Sequence, residues 1–433
     1  MNDLVNELEE IFPDEWVDQT AVETGFIKRE RKIDSVAFLW VMILSYGVRL
    51  QQTLVGLKRN YERCTGLTLS DGSWHDRFTP ELVSFLKCCV SRAIEHSSQR
   101  VTRILSERLT QFEDVLIQDS TIVRLHECFA NVWPAARTKK VAAGVKVSTL
   151  ISAVSNGPKR VEIHGERTSE VKTLKIGPWV KNRILLLDLG FYKHQGLARI
   201  VENGGSFVTR LKSNVNPHIV SSNIVHRGRS IDISGKKLRD IEPRLNRECL
   251  DAMVEICFKR RKYKGKSRYD TMEVRLVGVW DNENEEYHFY LTNIGSDVLS
   301  AKEVSALYRC RWEVELVFKE LKSRYALDQV KTSSKYAVLA LIWLSILTLL
   351  VSRQLYHVIR KKAPPGVKLA RYTQLRWANA FMENAPFLLM SILNRIYDDW
   401  DPVSNMELVM AVYGSQALDP HVERNRPRED WWE

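Results

Sequence analysis

Apolar and polar positions follow two different rhythms along this 433-residue chain, and the rhythm changes near residue 110. Before that point the spacing is helical. Apolar residues dominate 34–61, and a long helical pattern opens at Thr79-Pro80-Glu81, where threonine can cap and proline suits the first turn. The pattern predicts a helical N-terminal region over residues 1–110. Within it, Leu69 to Phe78 reads as a turn and a short mixed segment containing Gly72 and Trp74. Two helices about a glycine-bearing turn fit either a helix-turn-helix that reads DNA or a plain bundle that braces its neighbours.

From about residue 112 the period becomes that of strands. Asp114 to Gln118 is an apolar strand that delivers Asp119. Val145–Val154 and Arg160–His164 flank the turn Ser155-Asn156-Gly157-Pro158, which predicts a three-stranded antiparallel meander. Lys146 in its second strand either points toward a site or is an edge-strand lysine. A second apolar run, Arg183 to Leu187, ends in Asp188-Leu189-Gly190-Phe191 and leads into a helix. Gly204-Gly205 then turns the chain into the strand 206–212, which carries Arg210.

Residues 216–292 interrupt this α/β order with strands at Ala252–Phe258, Thr271–Trp280 and Tyr287–Asn293. Ser300-Ala301-Lys302-Glu303 has the form of a capping box and opens the next helix. Tyr336 to Ser352 is uncharged for 17 residues, the lower edge of a membrane span. Its place directly after the preceding helix predicts a buried core helix instead, apolar on every side. Ser35 to Val48 is too short to span. Beyond 355 the pattern is helical, broken at Pro364-Pro365-Gly366 and Asp401-Pro402, and the last residues, 420–433, form a polar tail. The expected organisation is therefore a helical region (1–110), an α/β core in two parts (111–215 and 293–355), a β-rich insertion (216–292) and a helical C-terminal region (356–433).

Composition narrows the class. The chain is 44% hydrophobic and 27% charged, ordinary for a folded protein long enough for a substantial core. A formal charge of +11 favours a polyanionic partner, because Lys and Arg gain by neutralising phosphates. Much of it sits in Lys259-Arg260-Arg261-Lys262-Tyr263-Lys264-Gly265-Lys266-Ser267-Arg268, where 7 of 10 residues are basic. With strands on both sides this predicts a basic β-hairpin, a DNA clamp rather than a solvated loop. The 7 cysteines lack CxxC or Cys/His ligand spacing, which argues for a reducing compartment and against zinc or a disulfide framework. The acidic N-terminus has no positive region followed by an apolar core, so a cytoplasmic location is expected.

The candidate chemistry lies near residue 310. Tyr308, Arg311, Glu315 and Lys322 would share an arc of roughly 60° on an unbroken helix at about 100° per residue. A carboxylate flanked by cations and a phenol can hold a divalent metal beside a phosphodiester. A solvated, salt-bridged face has the same spacing. The residue types decide between them: this stretch resembles the Tyr-x2-Arg-x3-Glu-x6-Lys signature of DDE transposases of the insertion sequence 4 family. That resemblance implies a ribonuclease-H-like core and two further acidic ligands at strand ends, for which Asp119 and Asp188 qualify. Asp114 precedes its strand and does not.

The resemblance further implies that Asp119, Asp188 and Glu315 hold two Mg²⁺ ions, with Mn²⁺ as a substitute, while Tyr308, Arg311, Lys322 and Arg210 contact DNA. The insertion, with Lys259, Arg260, Arg261, Lys262 and Lys264, would grip the duplex. An aromatic residue from it would hold a flipped base, a place for which Trp280, Tyr287 and His288 are candidates because the expected tryptophan is absent from strand 287–293. The partners implied are double-stranded DNA at element ends and target, and a second copy of the chain paired through the C-terminal region. The activity implied is cut-and-paste transposition. The alternatives are an inactive or domesticated relative that only binds DNA, and a ribonuclease-H-like nuclease without strand transfer.

Overall fold

The structure is a computed structural model that describes residues 3–28, 33–99, 103–136, 142–223, 225–226, 229–230, 232–263, 266–363 and 372–396, with backbone alone at 225–226, 229–230, 261–263 and 267. Six helices come first: α1 (Asp3–Ile11), α2 (Asp14–Glu23), α3 (Ser35–Met42), α4 (Leu54–Thr65), α5 (Asp71–His75) and α6 (Pro80–Ser98). Side-chain caps start several of them. Asp34, Thr53, Ser70 and Thr79 each accept a bond from a backbone N–H of the first turn, the usual way to satisfy a donor that has no partner inside the helix. Trp74 is fully buried against Phe38, Tyr61 and Phe78, so the residue between α4 and α6 is core packing.

A nine-stranded mixed sheet follows, in the order β3-β2-β1-β4-β5-β11-β10-β9-β6. Its strands are β1 (Asp114–Leu125), β2 (Ala143–Ser152), β3 (Gly157–Gly165), β4 (Arg183–Leu187), β5 (Ser206–Arg210), β6 (His218–Ser222), β9 (Cys249–Tyr263), β10 (Lys266–Asp281) and β11 (Glu286–Thr292). A separate two-stranded ladder pairs β7 (Val225–His226) with β8 (Arg229–Ser230). The expected meander β1-β2-β3 is present and antiparallel, while β1, β4 and β5 run parallel. Period-2 alternation sends neighbours to opposite faces. Ile184, Leu186 and Val208 join one core, and Leu185, Leu187 and Phe207 join the other.

Apart from the short β7–β8 ladder, the described strands of the insertion do not build a sheet of their own. Its last strand, β11, pairs with β5, and β10, β9 and β6 continue outward from there. The interruption in sequence is thus an extension in space. Short helices α7 (Glu170–Thr173), α8 (His194–Glu202) and α9 (Leu238–Ile241) lie among the strands.

The described residues close with α10 (Ala301–Arg309), α11 (Glu313–Ser323), α12 (Lys335–Lys361) and α13 (Gln374–Ile396); the expected breaks at 364–366 and 401–402 and the tail 420–433 lie outside the described residues. Among the described residues α12 is the one helix long and apolar enough to cross a membrane, and 83% of its most apolar window is buried inside the protein. It packs against α6, the turn 43–47, α1, α13 and β3, as a core helix should. Gly47 permits one of these approaches, since a Cβ there would lie 1.8 Å from Thr348 Oγ1. One continuous apolar core joins the N-terminal helices, one face of the sheet and the C-terminal helices.

Candidate active site

Parallel strands deliver two carboxylates to one edge of the core. The parallel pairing of β1 with β4 ends at Gln118↔Leu187, and the next residue on each strand is an aspartate, Asp119 and Asp188. Asp119 stays within β1, which runs on against β2; Asp188 leaves β4 and starts a 3₁₀ turn, Leu189–Phe191. Asp119 Oδ1 accepts the Ser120 N–H at 2.7 Å. Burial pushes the Asp119 pKa up to about 6, with Asp188 and Glu170 pushing the same way and Ser120 and Arg311 opposing. Asp114, five places earlier, is buried and accepts from Ser152 Oγ at 2.6 Å and Val154 N–H at 3.2 Å. It is a structural group.

The helix that carries the third carboxylate is broken. The capping box at Ser300 and Glu303 starts α10 as expected, but the chain tightens into a 3₁₀ turn at Cys310–Trp312 before α11 begins. A single arc for all four residues of the motif therefore does not hold. A 3₁₀ turn winds more tightly than an α-helix, and this one lies where Arg311 bridges strand and helix. The Arg311 guanidinium reaches Glu315 Oε1 at 2.8 Å, Asp119 Oδ2 at 3.3 Å and Asp188 Oδ1 at 3.9 Å. The three carboxylates stand around one cation.

Tyr308 lies behind Arg311, 7% exposed, with its ring 5.2 Å from Tyr290 and 6.0 Å from the guanidinium. Its hydroxyl makes no hydrogen bond among the described residues, and burial raises its pKa to about 12. A cavity of about 780 Å³ opens beside it, lined among others by Arg210, Arg311, Trp280, His288 and Trp312. Arg210, at the end of β5, is 2.8 Å from His288 Nδ1, whose Nε2 is 3.0 Å from Asp281 Oδ2. Of the three aromatic candidates, Trp280 and His288 line the cavity, whereas Tyr287 packs on Trp280 and donates its hydroxyl to the Arg247 carbonyl. Trp312, 55% exposed at the rim, carries no signal in the sequence beyond its place inside the motif.

Other expected residues sit apart. Lys322 shares α11 with Glu315, but its charged neighbours are Arg124 and Asp328. Burial, then Arg124, lowers its pKa. In the hairpin of β9 and β10, Lys259 is exposed and 5.3 Å from the Tyr269 ring. Arg260 is engaged within the protein, paired to Glu202 and, at 2.7 Å, to Asp270. The side chains of Arg261 and Lys262, and Lys264 altogether, lie outside the described residues. Lys146 is not on an edge: β2 lies between β1 and β3, and Lys146 Nζ is buried, donating to the Thr168 carbonyl at 2.8 Å. A separate group of Glu7, Glu10 and His96, with ligand atoms within 4.8 Å of one another, belongs to α1 and α6.

Residues 110–351 match the family described as Transposase DDE domain, more than half of the chain and all of the elements that meet at Arg311. The chain belongs to the DDE transposase family. Relatives extend the likeness over more of the chain. The transposase for insertion sequence element IS231F of Bacillus thuringiensis subsp. israelensis is 23% identical over 403 residues, covering 83% of this chain and 82% of the relative. The transposase for IS231C of Bacillus thuringiensis subsp. berliner is 23% identical over 385 residues (78% of each). That for IS1151 of Clostridium perfringens is 22% identical over 376 residues, covering 81% of this chain and 79% of the relative.

Proposed function

We propose that this DDE transposase cuts DNA at the ends of an insertion sequence and joins those ends to target DNA by cut-and-paste, with Asp119, Asp188 and Glu315 as its metal-binding and catalytic carboxylates. The observation that carries the reading is the convergence of these three residues, from the middle of β1, the end of β4 and one helix, around Arg311. The order β3-β2-β1-β4-β5 with β2 antiparallel supports a ribonuclease-H-like core. The relatives' names, all insertion-sequence transposases, support the substrate.

The donor set fits Mg²⁺, or Mn²⁺ in its place: three carboxylates offer only hard oxygen ligands, and Mg²⁺ sites use one or two such groups each. Held by Asp119, Asp188 and Glu315, two such ions would supply activation of the attacking water or 3′-hydroxyl and stabilisation of the leaving oxygen. The chain's own residues hold the DNA. Arg311 bridges the three carboxylates, and its planar fork also suits a phosphate. The unbonded Tyr308 hydroxyl offers a donor at the cavity wall. Arg210, Lys322 and the hairpin residues Lys259, Arg261, Lys262 and Lys264 extend the phosphate grip, and Trp280, Trp312 and His288 offer surfaces to an unstacked base. Two copies act together on two element ends, in the cytoplasm of a prokaryotic cell.

The test is incubation of purified protein with Mg²⁺ and labelled element ends. Asp119→Ala, Asp188→Ala and Glu315→Ala should each abolish cleavage while retaining end binding, which rests on basic contacts elsewhere. Near-normal cleavage by any one of them removes that residue from the site. Cleavage without joining to target would favour a nuclease, and binding without cleavage by the wild-type chain would favour a DNA-binding relative.

A further inference from the structure

A fourth carboxylate lies among the residues that follow the two aspartates. Glu170 is the first residue of α7, 50 positions from Ser120 and 20 from Gly190 in sequence. Its Oε1 accepts a hydrogen bond from Ser120 Oγ at 3.0 Å, and the Ser120 N–H is itself bonded to the Asp119 carboxylate. Its Oε2 lies 1.5 Å from where a Cβ on residue 190 would be. That residue is Gly190, two places after Asp188. Its φ is outside the left-handed region, so the backbone conformation does not call for glycine there. The space does, because the Glu170 carboxylate occupies it.

One carboxylate therefore touches the segment after each aspartate. Its charge is partly balanced from behind by Lys146, whose Nζ is 3.8 Å away; the side chains of Lys146 and Glu170 are 9% and 29% exposed. The lysine is fixed in place by its bond to the Thr168 carbonyl. Glu170 thus keeps an open side where its partner does not, and its charge is felt at Asp119, whose ionisation it opposes.

We infer that Glu170 is a fourth acidic group of this centre, a positioning residue that ties the segment after Asp119 to the segment after Asp188 and adds negative charge to the cluster that attracts a divalent cation. The inference rests on the reading of Asp119, Asp188 and Glu315 as the metal-binding set. Groups that hold metal ligands in place typically contribute about 10–100-fold to metal affinity. Glu170→Gln retains the size and an acceptor for Ser120 but removes the charge. Gly190→Ala retains the charge but puts a methyl group where Oε2 lies, so Glu170 must leave its place.

The experiment is a titration of full-length protein with Mn²⁺, without DNA, reading free Mn²⁺ by electron paramagnetic resonance. Melting curves check that each variant is folded. Glu170→Gln and Gly190→Ala should each raise the Mn²⁺ Kd about tenfold or more, and Glu170→Asp should recover part of the loss. Asp119→Asn is run beside them. If it loses Mn²⁺ while Glu170→Gln and Gly190→Ala bind as wild type does, Glu170 is only a structural residue and the inference is overturned. If Asp119→Asn also binds as wild type does, the metal-site reading itself has failed. Should Glu170→Gln not fold, the Gly190→Ala result decides alone.

Discussion

Removing one partner at a time from the buried Glu320–Arg353 pair tests how the Glu315-bearing helix is held from beneath. Glu320 follows Glu315 by five residues, about 140° around the helix, and so faces the other way. Its carboxylate pairs with Arg353 of α12, the two side chains being 1% and 3% exposed. Arg353 also donates to the Asn156 carbonyl at 3.1 Å, and Asn156 Oδ1 accepts from Gln374 at 2.6 Å. The pair thus joins α11, α12, α13 and the β2–β3 turn. Glu320→Ala strands a guanidinium that cannot deprotonate, and a buried charge left without its partner costs about 3–5 kcal/mol. That cost should not grow with pH: where the raised Glu320 carboxyl ionises, the wild type itself loses stability and the gap narrows.

Arg353→Met behaves differently because a carboxylate can take up a proton. Burial raises the Glu320 pKa above its ordinary 4.5 even with Arg353 present, and losing the arginine raises it further. A group whose pKa is raised by folding favours the fold below its unfolded value and loses that contribution as pH climbs through the folded value. Arg353→Met should therefore be least damaging near pH 5 and approach the full cost of about 3–5 kcal/mol in alkali. Urea unfolding followed by tryptophan fluorescence across that range would measure both. Glu320→Leu combined with Arg353→Met should lie closer to wild type than either single change. A Glu320→Ala loss below about 1 kcal/mol, or one that grows with pH as that of Arg353→Met does, would refute the reasoning.

Asp119→Asn should stabilise the metal-free protein at pH 7. The folded carboxyl is raised from 3.8 to about 6, so its ionisation costs stability as pH rises through that value, and the amide avoids a cost of about 1–3 kcal/mol; a lower melting temperature for the variant would contradict this. In the hairpin, Lys259→Ala should flatten the log-log salt dependence of duplex binding by roughly one unit. Arg260→Ala should change it much less, since Arg260 is already paired to Glu202 and Asp270. Equal effects would mean that the internal pairing gives way to DNA. Lys322→Ala should impair processing of pre-nicked ends more than binding of unrelated duplex, and equal losses in the two assays would make its role a general one.

Periodicity and end signals locate several of the elements, because burial alternates within a strand and along a helix over only a few residues. The meander, the strand end at Asp188, the capping box at Ser300 and Glu303, and the buried helix through 336–352 all follow from local pattern, whereas Asp119, expected at a strand end, lies in the middle of β1, which its pairing with β2 carries on to Leu125. Asp119 follows the apolar run that Asp114 opens; the fold sets Asp119 beside Arg311 and Asp114 against Ser152. The motif spacing then nominated Glu315 and its cationic neighbours.

Contacts between distant segments were decided by the tertiary structure. Arg311 meets Asp119 across 192 positions, and only the 3₁₀ turn at Cys310–Trp312 and the packing of α11 on the sheet set that meeting. The insertion reads as a separate unit along the chain, yet backbone hydrogen bonds at the β5–β11 pair make it part of the core sheet. Trp74 is hidden and Trp312 exposed, though both are tryptophans in short polar surroundings. Arg260 looks like its basic neighbours but, from strand β9, finds Glu202 at the end of α8. Glu170 lies in no motif, and its significance comes from two residues, Ser120 and Gly190, that the fold brings to its two oxygens. Local sequence encodes which face is apolar; which charges share that space depends on how the faces are assembled.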